Sequence, residues 1–235
     1  TMNVAVDEHS DISFMLSAGD QVETASTESH YDGFFTPEHL KSYPLVPVQG
    51  NHDNAANYVY HFNKPNMSSQ YGTTNAGGNA YFVYGNTLFM LLNTNNTSGA
   101  GHKTFMEQAI AAHPDVTWKV VMHHQSIYSS AMHASSIGFN LRPQLFPVFD
   151  ELEIDVVLAG HDHSYTRSHH MLGDNVVDNE ENMIDDNIVQ NPVGTIYFTN
   201  NSSSGSKYYS LNSSPETYAA VRQQLNTPTF SHVTI

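Results

Sequence analysis

The stretch Asp155-Val156-Val157-Leu158-Ala159-Gly160-His161-Asp162-His163 is an apolar run of strand length that stops at a glycine and then delivers two imidazoles and a carboxylate. Working outward, the same grammar recurs. Arg142 to Leu152 before it has helical spacing, with Pro143 acceptable in a first turn. Lys119 to Met122 is an apolar run ending at His123-His124, and it follows His102 to Ala112, whose inward face is Phe105, Met106, Ala109 and Ile110. Nearer the start, Pro44 to Val48 stops at Gln49-Gly50-Asn51-His52-Asp53. Ile12 to Leu16 stops at Ser17-Ala18-Gly19-Asp20, after a helical segment from Thr1 to His9. Helix and strand therefore alternate, and each strand hands polar groups to a turn.

In an α/β sheet of this kind the carboxyl ends of neighbouring strands lie side by side, and ligands collect in the crevice above them. Asp20, Asn51, His123, His161 and His163 are expected to converge there although they are far apart in the chain. A carboxylate, an amide oxygen and neutral imidazoles suit Zn, Fe, Mn or Co, and the mixture disfavours an oxygen-only calcium cage. His124, next to His123 on the strand, is expected to face away from it with a structural role, the alternative being a place on the pocket rim.

The rest of the chain is read more coarsely. Tyr81 to Tyr84 and Leu88 to Leu92 flank Gly85-Asn86 as a hairpin, followed by a polar loop from Asn93 to Gly101. The acidic, Asn-rich segment after residue 170, up to Gln190, is expected to be a long surface excursion. Thr195 to Thr199 reads as a strand. The capping box Ser213-Ser214-Pro215-Glu216 predicts a helix over Pro215 to Leu225, and Phe230 to Ile235 reads as a final strand. Tyr58, Tyr60, Phe62 and Tyr71 resemble a substrate wall but are expected to pack a loop against the core.

Composition narrows the function classes. At roughly 150 residues per domain, 235 residues make one large domain, taken as 1–235. Lys+Arg 8 against Asp+Glu 23 gives a net charge of −15, which excludes a binder of nucleic-acid backbones. With no cysteine there are no disulfides, thiolate metal sites or cysteine nucleophiles. No apolar run reaches the roughly 20 residues of a membrane span. The 15 histidines are the anomaly; away from strand ends they are expected on the surface or locally bonded. Few basic residues, no thiols and many Asn, Ser and Thr suggest an extracellular or cell-surface protein.

Gly19-Asp20, Gly50-Asn51-His52-Asp53, Val120-Val121-Met122-His123 and Gly160-His161-Asp162-His163, in that order, resemble the calcineurin-like metallophosphoesterase superfamily, most closely its purple acid phosphatase-like branch. The resemblance runs from about Phe14 to Phe198. It implies an α/β fold, a four-layer αββα sandwich of two mixed β-sheets flanked by helices. It implies two metal ions (Fe, Zn or Mn) and a small-molecule phosphoester substrate, with phosphomonoesters first. Asp20 would bridge the ions, Asn51, His123 and His161 would bind the second, and His163 the first. His52 would contact the phosphate and protonate the leaving oxygen, and His133 would be a further phosphate-facing histidine. Asp162 and Arg167 would orient ligands without binding metal.

The pattern departs from the family at two places. The family's opening strand with its own Asp motif has no counterpart before Asp20, so the chain is expected to be trimmed at both ends, with the second metal site better preserved than the first. Glu23 stands where the purple branch has a tyrosine, so no tyrosinate-iron colour is expected. The rival expectations are a phosphodiesterase or nucleotidase with the same ions, and a metal-poor fragment acting as a binding module.

Overall fold

The computed structural model describes residues 1–185 and 188–235, without the side chains of 137–139. The chain opens with α1 (Met2–Glu8) and β1 (Met15–Ser17), then α2 (Glu28–Phe34), β2 (Leu45–Pro47) and α3 (Tyr58–His61). The hairpin of β3 (Ala80–Tyr84) and β4 (Thr87–Leu92) follows. Alternation resumes with α4 (Gly99–Ala112), β5 (Trp118–Gln125), α5 (Ile137–Glu151) and β6 (Val156–Gly160). Then come β7 (Tyr165–Leu172), β8 (Asn175–Val176), β9 (Met183–Asp185), β10 (Ile188–Val189), β11 (Thr195–Thr199) and β12 (Ala219–Gln223).

The large sheet has the order β12-β7-β11-β6-β5-β4-β3, with β8 attached to β7. Its centre, β4, β5, β6 and β11, is parallel, and its margins are antiparallel. A smaller parallel sheet joins β1 to β2. The mixed α/β architecture, with helices against a large mixed sheet, is the class its alternating pattern predicts.

Parity along the strands divides the interior in two. Leu88, Met90 and Leu92 of β4, Val121 of β5 and Val157 of β6 pack with Phe105 and Met106 of α4 and Leu141, Leu145 and Phe149 of α5. The intervening residues Leu91, Met122 and Leu158 pack with Val46, Val48 and Leu16 towards the small sheet. α4 forms because His102, Phe105, Met106 and Ala109 share one buried face and Ser98 caps it, its Oγ accepting from the Gly101 N–H at 3.2 Å. α5 starts well before Arg142, so Pro143 and Pro147 both lie inside it. Each removes a backbone donor, and the buried Leu141, Leu145 and Phe149 hold the helix despite that loss.

After β6 the expectations weaken. β7 has no apolar alternation: its inward residues include Thr166 and Ser168, so the buried row carries hydroxyls. The predicted helix over Pro215 to Leu225 is overturned, because Ala219–Gln223 forms β12, antiparallel to β7. Glu216, read as a capping group, instead accepts from Asn212 Nδ2 at 2.7 Å and lies 3.7 Å from Arg222 Nη1. The buried Tyr218 donates its hydroxyl to Ser129 O at 2.5 Å, anchoring the strand. Phe230 to Ile235 is not a strand either; the Ser231 hydroxyl bonds Asn200 Oδ1 and His232 stacks on His9, ring centroids 4.0 Å apart. The acidic excursion does lie at the surface, carrying the short pair β9–β10 with Ile184 and Ile188 exposed; its residues 186 and 187 lie outside the described ones. Tyr58 and Phe62 pack under the site loops and Tyr71 against the main core, whereas Tyr60 is exposed.

Candidate metal centre

A cavity of about 2190 Å3 lies between the two sheets, and Asp20, His52, His124, His133, His161 and His163 line it together. The end of β5 supplies His124, and the loops after β1, β2, β5 and β6 supply the others, as strand ends in an α/β sheet do.

Asp20 follows Gly19 in a turn where both have positive φ, +101° and +55°. That left-handed conformation is costly for a residue with a Cβ, and it swings the carboxylate towards β5. Asp20 Oδ2 lies 3.1 Å from His124 Nε2, and its Oδ1 accepts the His52 N–H at 3.0 Å. Burial pushes the Asp20 carboxyl up, but the His124 hydrogen bond and charge, with the His52 N–H, outweigh it and hold the group down at about 2. A Cβ on Gly50 would collide with the Asp20 carboxylate, so the turn after β2 needs glycine there to come this close.

His124 is the hub. Its Nδ1 lies 2.7 Å from Ala18 O, to which it donates, leaving Nε2 towards the cavity. That one nitrogen is 3.1 Å from Asp20 Oδ2, 3.1 Å from Asn51 Oδ1 and 3.1 Å from His161 Nδ1. His161 has φ +69° in the turn after β6 and shows no partner for its buried Nε2. Burial and the His124 charge push His161 down to about 3, so it is a neutral donor of an electron pair. Asp20, His124 and His161 each place a ligand atom within 4.8 Å of the others. A carboxylate, an amide oxygen and two imidazoles converging this closely form a donor set that a divalent cation would satisfy in place of the proton shared by His124 and Asp20, and carboxylate with imidazole fits Zn, Fe or Mn.

The other expected site residues fall around this triad. Asn51 joins it through Oδ1. His163 lines the cavity outside the triad, with Nδ1 3.1 Å from Lys207 O and its ring stacked on Tyr209 at 4.7 Å. His52 holds its ring by Nδ1, 2.8 Å from Glu23 O. The His133 ring lies 4.0 Å from that of His161, and its N–H donates to Asp162 Oδ1 at 2.8 Å. Asp162, wholly buried, binds no ring and instead fastens the loop that carries His133.

His123 is a correction. It shares parity with Val121, so it points among the helices, fully buried, 6.1 Å from the Phe149 ring, with no hydrogen-bond partner for either ring nitrogen among the described residues. Burial, with His102 nearby, pushes it down to about 3. The position expected of His123 is taken by His124, which shares parity with Met122, a residue of the inter-sheet core. The apolar assignments of Val121 and Met122 to opposite faces carried the signal for this choice.

A family model for calcineurin-like phosphoesterase matches residues 2–165. The chain belongs to that family. Two curated relatives of this calcineurin-like phosphoesterase are from Mycobacterium tuberculosis: uncharacterized protein MT2654 of strain CDC 1551 / Oshkosh and uncharacterized protein Rv2577 of strain ATCC 25618 / H37Rv. Each is 36% identical over 59 residues, 25% of this chain and 11% of the relative, so the match spans a small part of their length. Among solved structures, purple acid phosphatase PPD1 from yellow lupin (Lupinus luteus) seeds superposes with a TM-score of 0.68 at 17% identity, over 94% of this chain and 42% of that one. The structure described as GAP50, the anchor in the inner membrane complex of Plasmodium, superposes with a TM-score of 0.56 at 15% identity, over 93% of this chain and 70% of that one. At such identities the likeness is one of fold. Among the described residues no helix of this phosphoesterase is long and apolar enough to cross a membrane.

Proposed function

We propose that this chain is the catalytic part of a metal-dependent hydrolase of phosphoric esters, with phosphomonoesters as its first substrates. One observation carries it: His124 Nε2, Asp20 Oδ2, Asn51 Oδ1 and His161 Nδ1 converge at the mouth of an inter-sheet cavity in a chain of this family. Asp20, Asn51, His124 and His161 would hold one ion, and Asp20 with His163 would contribute to a second. Bound there, such ions supply Lewis acidity towards a phosphoryl oxygen and make water acidic enough to attack phosphorus in line.

The chain's own groups do the rest. Ala18 O fixes the His124 tautomer and so keeps Nε2 free as a ligand atom. His52, its ring oriented by the Glu23 carbonyl, offers the departing oxygen a proton. His133 stands beside His161 within reach of the same phosphoryl group, with its loop tied down by Asp162. The net charge of −15 opposes polyanionic substrates more strongly than small esters.

The test is turnover of p-nitrophenyl phosphate against its bis ester by protein loaded with Zn, Mn or Fe, alongside calorimetric stoichiometry. Monoester preference with two ions per chain supports the proposal. Preference for the bis ester turns the reading to a phosphodiesterase. A second reading is a binding module without catalysis, the role of an anchor that GAP50 has on a similar fold; saturable metal binding without turnover of either ester would select it. The composition further supports, as a proposal, an extracellular or cell-surface location, checked by locating the protein in its host.

A further inference from the structure

Asp53 is wholly buried and does not line the cavity, yet its carboxylate ties together the two turns that present Asp20 and Asn51. Its Oδ2 accepts the N–H groups of Asp20 at 2.7 Å, Gly50 at 2.8 Å and Gln21 at 3.3 Å, and its Oδ1 accepts that of Val22 at 3.3 Å. Three of these donors belong to the loop after β1 and one to the loop after β2. Asp20 answers in kind, its Oδ1 accepting the His52 N–H at 3.0 Å. Two carboxylates thus lace the loops crosswise, and Gly50 has no room for a Cβ between them.

The consequence is geometric. Asp20 sits at φ +55°, a conformation that its own side chain does not favour. A buried anion gathering successive N–H groups is the kind of partner that holds such a turn. Asn51 is two residues from Asp53 and one from the Gly50 N–H that Asp53 binds, so one side chain governs the distance between two ligand atoms supplied by separate strands. His124 and His161 come from β5 and from the turn after β6, outside the two loops that Asp53 joins, although Ala18 O of the first loop orients the His124 ring.

We infer that Asp53 is a positioning residue of the metal centre, which sets the spacing of Asp20 and Asn51 and thereby the affinity for the cation. The inference rests on the centre binding a metal, and its test separates the two ideas. Zn2+ and Mn2+ affinity of the metal-stripped chain would be measured by calorimetry for wild type and Asp53→Asn, well below the melting temperature of each, with the visible spectrum of the Co2+-loaded forms recorded in parallel. Loss of an outer partner of this kind costs roughly 10–100-fold in metal affinity, so Asp53→Asn should bind 10–100-fold more weakly with an altered Co2+ spectrum while its circular dichroism stays that of wild type. A residue that merely supports the fold would lower the melting temperature and leave affinity and spectrum of the folded protein unchanged, which overturns the proposal. Should Asp53→Asn not fold, Asp53→Glu keeps the charge but displaces it, and the same outcomes apply. A wild-type chain that takes up no ion overturns the metal centre and this role together; one that binds as tightly as a folded Asp53 variant overturns this role alone.

Discussion

The two faces of the large sheet are made from alternate residues of the same strands, yet one face carries a metal-binding geometry and the other a close-packed core. Within β5 the contrast is between neighbours: His124 has each ring nitrogen within hydrogen-bonding distance of a polar group, and His123 has neither. Alternation in a strand allows adjacent residues of one type to have unrelated fates. The difference teaches that residue type at a strand end identifies a candidate and facing decides its role.

The sharpest way to break the contrast is to remove the shared carboxylate. Asp20→Ala should abolish measurable Zn2+ or Mn2+ binding and lower p-nitrophenyl phosphate turnover by roughly 10^3-fold or more, the several kcal/mol that metal-assisted catalysis supplies. Retained wild-type affinity would mean that the cavity face is not a metal centre.

On the opposite face, Phe149→Ala should cost about 3–5 kcal/mol in urea denaturation, through lost transfer energy and the cavity left among the helices. Metal affinity of the folded fraction should stay as it was. A large loss of affinity would show the two faces to be coupled.

The histidine pair compares the faces at adjacent positions. His124→Ala should lower metal affinity by more than the roughly 10–100-fold expected for losing a supporting partner. His123→Leu should leave affinity unchanged and stabilise the fold by about 1 kcal/mol, because an apolar side chain replaces a buried imidazole with two unmade hydrogen bonds. Titration calorimetry and thermal melts on the two variants decide it, and swapped results would return the ligand role to His123.

The smallest effect concerns Lys64, buried with its ammonium donating to Gln49 Oε1 at 2.6 Å and to Gly78 O at 3.0 Å. Burial pushes it down from 10.5 to about 7, with Asp53 opposing. Between those values the unfolded chain keeps the proton that the folded chain has released, so stability rises with pH, by at most about 1.4 kcal/mol per unit. As pH falls from 10.5 this gain shrinks progressively, and below about 7 it is gone because both states hold the proton. Urea midpoints at pH 7 and pH 9 should therefore diverge in wild type and converge in Lys64→Met; equal divergence in both would exclude Lys64 as the source.

Legibility followed the strength of the local pattern. α4, β5 and β6 were readable because their apolar spacing matches the buried faces they form. β7 was not, since its inward row is Thr166 and Ser168, and the Ser168 hydroxyl finds its partner, the Tyr197 N–H at 2.9 Å, far away in sequence. Pro215 to Leu225 carried a helix-start signal, but Asn212 and Arg222 engage Glu216, and Tyr218 anchors the segment as an edge strand. Tertiary partners overrode a local motif worth only about 1 kcal/mol.

The alternation of helix and strand from α4 to β6, the ligand types at the strand ends and the family were determined by the sequence itself, because each rests on short-range periodicity and on side-chain chemistry. Which of two adjacent histidines meets Asp20, and that Asp53 binds the loops after β1 and β2 together, was decided only in the folded molecule. A central strand buried on both faces has no polar side to reveal its orientation, and a carboxylate that gathers N–H groups from separate loops has no partner until those loops meet.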